Sequence, residues 1–63
     1  MANGLEVTKD SLNEFQSIQD YMISAREENA TKTYDKMKVR YLFLKALLQT
    51  AGVNLTDIDK INE

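Results

Sequence analysis

The chain has no cysteine, no histidine and no proline, and its only glycines are Gly4 and Gly52. Each absence excludes something. Without cysteine no disulfide can staple the fold and no thiolate can hold a metal. Without histidine the other common zinc and transition-metal ligand is gone. The familiar Ser-His and Cys-His catalytic pairs go with it, and two isolated glycines do not make a phosphate-cradling loop. Yet a chain of 63 residues buries only a modest share of its surface, and scaffolds of this size usually need a staple. With disulfides and metals removed, self-association or a partner protein is the remaining means of support. The expectation is therefore a non-enzyme with no metal and no cofactor.

Long apolar runs are also missing. The longest, Tyr41-Leu42-Phe43-Leu44, is broken by Lys45, far short of the roughly 20 residues of a membrane-spanning helix. Met1 to Leu5 offers neither the basic start nor the apolar run of a secretory signal. A soluble, cytoplasmic protein with no membrane contact is expected. On that reading the tripeptides Asn29-Ala30-Thr31 and Asn54-Leu55-Thr56 match the glycosylation pattern by chance.

The formal net charge of −2 is mild, but its distribution is uneven. Residues 1–30 carry six acids against Lys9 and Arg26; residues 31–50 carry Lys32, Lys36, Lys38, Arg40 and Lys45 against Asp35; residues 51–63 carry three acids against Lys60. The chain reads acidic, basic, acidic. Neighbouring antiparallel segments of opposite sign attract, although each exposed pair contributes little.

With no strong breaker between Leu5 and Ala51, the reading is all-α: an antiparallel helical hairpin, about 11–28 and 31–51, followed by a short C-terminal helix at about 56–62. All of it forms one small domain, which self-association would make a dimeric helical bundle. Residues 1–9 read as a loose lead-in from which Leu5 and Val7 can dock on the core. Ser11-Leu12-Asn13-Glu14 has the form of a capping box and predicts the first helix start. Leu12, Phe15, Ile18, Met22 and Ala25 then recur at the spacing of one helical stripe. In the second helix Tyr34, Met37, Tyr41, Leu44, Leu48 and Ala51 alternate steps of three and four residues, the pattern of a knobs-into-holes seam. Gly52 follows as the left-handed cap residue, with Val53 as its apolar companion.

A single continuous rod is disfavoured by register. The seam of the first helix would continue through Asn29 and Lys32, whereas the second restarts at Tyr34, out of phase. The break falls in Asn29 to Thr33, among residues suited to capping. In the third segment Thr56 is the expected cap, Asp57 and Asp59 fall in the first turn, and Leu55, Ile58 and Ile61 form the apolar edge.

The second helix has more apolar surface than one neighbour can cover. Val39, Phe43, Ala46 and Leu47 project opposite the Tyr41–Leu48 stripe, and Leu42 lies between the two faces. Leaving Phe43 and Leu47 in water forgoes about 1.5–3 kcal/mol each. Either the third helix folds back over this face, making a three-helix monomer, or another chain covers it. The functional reading is a non-catalytic protein–protein interaction or small regulatory module acting through Val39, Leu42, Phe43, Ala46 and Leu47, as a homodimer or docked on a larger protein.

The alternative is a small nucleic-acid-binding regulator. The basic residues Lys32, Lys36, Lys38, Arg40 and Lys45, interleaved with Tyr34 and Tyr41, are a candidate phosphate-contacting and stacking face. Residues 46–63 have the outline of a degenerate helix-turn-helix. Its recognition helix, however, would be acidic, against the electrostatics of phosphate binding. Asp57-x-Asp59-x-x-Asn62 faintly echoes a calcium loop but lacks its glycine. Asp57, Asp59, Glu27 and Glu28 read as solvated acids at helix ends.

Overall fold

The computed structural model describes residues 4–63, with side chains from Val7 onward. The chain is all-helical with no strand among these residues. Two helices, α1 (Gly4–Glu27) and α2 (Thr31–Thr50), pack against each other as an antiparallel hairpin, and residues 51–63 return along it as an irregular tail. The 24 residues of α1, at 1.5 Å of rise each, account for most of the 39 Å long axis; the shortest dimension is 14 Å. Such a thin slab has one core layer, and its outer helix faces are left to solvent.

The first helix starts earlier than the capping box predicts. Residues 4–9 are helical rather than a loose lead-in, and Ser11 sits in the helix interior. Nothing in Val7 to Asp10 opposes helix, and extending a formed helix gains one backbone bond per residue. The Ser11 hydroxyl then has no free first-turn N–H to cap. Val7 remains about half exposed; the side chain of Leu5 lies outside the described residues.

The turn lies where the phase break puts it, and both helices end in the same way. At the end of α1 the Asn29 N–H donates to Arg26 O (3.1 Å) and the Ala30 N–H to Ala25 O (2.8 Å). At the end of α2 the Gly52 N–H donates to Gln49 O and the Val53 N–H to Leu48 O, both at 3.0 Å. These are paired Schellman closures, with the left-handed position taken by Asn29 (φ 59°) and Gly52 (φ 85°). The cap at Gly52 is thus as expected, while Asn29 closes α1 rather than opening α2. Ala30, which precedes α2, provides no side-chain cap. Ala51 is exposed beyond the last helical residue and is not part of the seam.

The core is built from the two predicted stripes. Phe15, Met22 and Ala25 of α1 and Tyr41, Leu44 and Leu48 of α2 are buried, and the Phe15 and Tyr41 rings stack at 5.4 Å between centroids. Leu12, Ile18, Tyr34 and Met37 pack around them, half-buried.

The predicted C-terminal helix at 56–62 is absent; only a turn at Thr56–Ile58 forms. Thr56 does not cap a helix: its own N–H donates to Asn54 Oδ1 at 3.0 Å. From Ile58 onward, backbone groups are bonded to side chains, chiefly Gln19 of α1 and also Asp59 of the tail itself. Gln19 Oε1 accepts from the N–H groups of Lys60 (2.5 Å) and Ile61 (3.2 Å) while its amide donates to Ile58 O (3.2 Å). Asp59 Oδ1 accepts from the Asn62 N–H at 2.9 Å. A helix would spend these same groups internally. Here tertiary partners offer them bonds while Leu55 and Ile61 become buried, and packing overrides propensity.

Candidate protein-binding face

Four large side chains of the predicted face on α2 lie open: Val39 is 71%, Phe43 47%, Leu42 43% and Leu47 40% exposed, and Ala46 is exposed with them. The structure brings all five together on one side of one helix. Phe43 is held in place by Arg40, whose guanidinium carbon stands 5.0 Å from the ring centroid. Arg40 is in turn fixed across the hairpin by Glu14, through Nε–Oε2 at 2.5 Å and Nη2–Oε1 at 3.0 Å. That bidentate bond raises Arg40 and lowers the Glu14 carboxyl from their ordinary values.

The tail does not cover this face. Its apolar residues go to the seam side of the hairpin, where Leu55 and Ile61 join Phe15, Met22, Tyr41, Leu44 and Leu48, with Val53 and Ile58 alongside. The physical reason is a polar network that ties the tail to the other flank of α2. The Tyr41 hydroxyl donates to Asp59 Oδ1 (2.6 Å) and accepts from the Glu63 N–H (3.1 Å). Lys45 Nζ lies 2.7 Å from Asp59 Oδ2 and donates to Glu63 O at 2.7 Å. Lys38 pairs with the Glu63 carboxylate at 3.0 Å, and the Tyr34 hydroxyl donates to it at 3.3 Å. On α1, Asp20 faces Lys60 at 3.7 Å. The acidic tail thus settles on the basic helix, as the charge segregation suggests.

Asp59 is not a solvated cap acid. It is buried, and burial alone would push its carboxyl up; the bonds from Lys45, Tyr41 and the Asn62 N–H outweigh that and hold it below the usual carboxylate range. The same contacts raise Lys45, chiefly through its bond to Asp59, and raise the Tyr41 phenol, chiefly through burial. Asp57, Glu27 and Glu28 are exposed, as expected. Sequence reasoning missed Gln19, which is also buried. A signal was present: Gln19 falls on the stripe between Phe15 and Met22, and a polar residue at a core position must find partners.

The five basic candidates do not assemble into one free patch. Lys38, Arg40 and Lys45 are engaged by Glu63, Glu14 and Asp59. Tyr41 is buried, and Tyr34 is turned to Glu63. Of the five, Lys32 and Lys36 have no ion pair among the described residues. Residues 46–63 are not a helix-turn-helix, because the second helix is not formed. Among the described residues no helix is long and apolar enough to cross a membrane, and no cluster of three or more acids stands ready to hold a metal. No protein-family model, curated protein or solved structure matches this chain.

Proposed function

We infer that this chain is a non-catalytic protein–protein interaction module, a small regulator that acts through the outer face of α2 and self-associates there in the cytoplasm. The observation that carries the reading is where the tail goes. The chain possesses a third apolar segment and uses it on the seam side, leaving Val39, Leu42, Phe43 and Leu47 between 40% and 71% exposed on one helix. Isolated exposed apolar residues are ordinary, but a contiguous set on a rigid element marks an interaction surface. Phe43 at its centre, oriented by Arg40, has the size and placement of an interface anchor. The buried polar residues Gln19, Tyr41 and Asp59, with the half-buried Lys45, are all occupied in holding the tail. That supports a structural role for them rather than acid–base chemistry.

The test uses the full tagged chain as bait in extract from its native cells, compared with Phe43→Asp and with Thr33→Asp, a substitution on α2 away from the face. Proteins held by the parent and by Thr33→Asp, untagged copies of the chain included, should be lost from Phe43→Asp. Identical retention by all three baits overturns the reading.

A further inference from the structure

We propose that the face is covered by a second copy of this chain, lying antiparallel, α2 against α2, about a twofold axis that passes between Leu42 and Phe43. The inference rests on the interaction reading above and names its partner. The exposed side of α2 carries its own regular seam: Lys32, Lys36, Val39, Phe43, Ala46 and Thr50 alternate steps of four and three residues. That spacing keeps one line of side chains facing a second helix at a shallow crossing angle. The hairpin's own core uses the other seam, so this one has no partner among the described residues.

The composition of the seam suits a copy of itself. About a midpoint between Leu42 and Phe43, an antiparallel copy sets Val39 opposite Ala46 and Leu42 opposite Phe43. Both pairs share the same axis: the small Ala46 meets the larger Val39 on the seam, and Leu42, at its flank, meets Phe43. The contact is isologous, every patch meeting its own counterpart, so it closes as a dimer and leaves no surface to continue a filament. The product is a four-helix arrangement in which each thin hairpin supplies the layer that the other lacks.

Charge decides the direction. Lys32 and Lys36 occupy the N-terminal end of the seam, exposed and without an ion pair among the described residues. The opposite end of the seam carries no lysine. There the final carbonyls of α2 carry the negative end of the helix dipole. Antiparallel pairing brings the lysines of each copy toward the carbonyl end of the partner's α2. Parallel pairing would stack the lysines of both copies against one another.

Sedimentation equilibrium of the full chain, from micromolar to near-millimolar, should give a concentration-dependent approach to twice the 7.2 kDa protomer mass. Val39→Glu and Phe43→Asp, both outside the core, should keep the helical circular dichroism and weaken association by roughly tenfold or more. Because the chain has no cysteine, Thr50→Cys gives a single position for a spin label. At 1.5 Å per residue the two labels stand roughly 20 Å apart along an antiparallel pair and side by side in a parallel one. A folded monomer throughout, a dimer indifferent to both face substitutions, or labels side by side would each overturn the proposal. If the chain is monomeric but Phe43 still governs capture of another protein, self-association falls in both readings and the α2 face stands as a surface for a different partner. A dimer indifferent to both substitutions, with capture equally indifferent, removes both.

Discussion

The Tyr41 hydroxyl donates to the Asp59 carboxylate at 2.6 Å, joining the centre of α2 to a tail that has no regular structure of its own. Tyr41 stacks on Phe15 at the same time, so one side chain contributes to both the helix interface and the attachment of the tail. Around this bond are the contacts of Lys45 with Asp59 and of Tyr41 with the Glu63 N–H.

Asp59→Ala should therefore cost more than a typical surface substitution. It leaves the Tyr41 hydroxyl without its acceptor, removes the carboxylate paired with Lys45 and frees the Asn62 N–H. A loss of about 1–3 kcal/mol is expected. Chemical denaturation measures it, and amide exchange at Ile61 to Glu63 should accelerate well before that of Tyr41 to Leu48.

Acid should loosen the tail. The carboxyls of Asp59, Glu14 and Glu63 are all held below their ordinary values in the folded chain. Their contribution is fully present above the unfolded values, about 4, and is lost as pH falls through the folded ones. At the alkaline end Lys45 and Tyr41 are raised. Their contribution is present below about pH 10 and fades as pH climbs through the folded values. Melting temperature should be flat near neutrality and fall at both extremes. Asp59→Asn should flatten the acid limb.

Gln19→Leu tests the bracket beneath the tail. The apolar replacement fills the same stripe but removes the acceptor for Lys60 and Ile61 and the donor to Ile58. Leaving those groups unpaired should destabilise the fold by about 1–3 kcal/mol. If Gln19 were only a filler, leucine would stabilise, and thermal unfolding distinguishes the two by sign.

Ser11→Ala separates the two positions considered for the start of α1. An N-cap serine is worth about 1 kcal/mol, and alanine would remove it. In a helix interior alanine is the better former by a few tenths of a kcal/mol. With Ser11 inside α1, denaturation should show a neutral or slightly stabilising effect.

Gly52→Ala probes the Schellman closure. No atom lies within 4 Å of an added Cβ, so the cost is conformational rather than steric, arising from the positive φ of 85°. A loss of about 1–2 kcal/mol is expected for a left-handed L-residue. Asn29, at φ 59°, tolerates that region better, and Asn29→Gly should be close to neutral by the same measurement.

Much of the hairpin was legible in the residues. The apolar stripes through Phe15 and Met22 and through Tyr41, Leu44 and Leu48 are local periodicities, and a helix reads them without reference to anything distant. The Asn29 phase break and the Gly52 cap are also local, because each depends on the backbone preference of one residue. The start of α1 was misread for the same reason: the capping box is a local option, and helix extension past it was the better one.

The tail was not legible in this way. Leu55, Ile58 and Ile61 have the spacing of a helix edge, and Asp57 and Asp59 look like its first-turn acids. What prevents that helix is Gln19, roughly forty residues earlier in the chain, together with Tyr41 and Lys45. No local pattern reports an acceptor that folding delivers from so far away. Two amphipathic helices, their turn, and a second helix with too much apolar surface for one neighbour all follow from local pattern. Which side the tail takes does not, because that choice depends on buried hydrogen bonds between residues distant in the chain. By sending the tail to the Tyr41 side, tertiary packing left Val39, Leu42, Phe43, Ala46 and Leu47 as the open face.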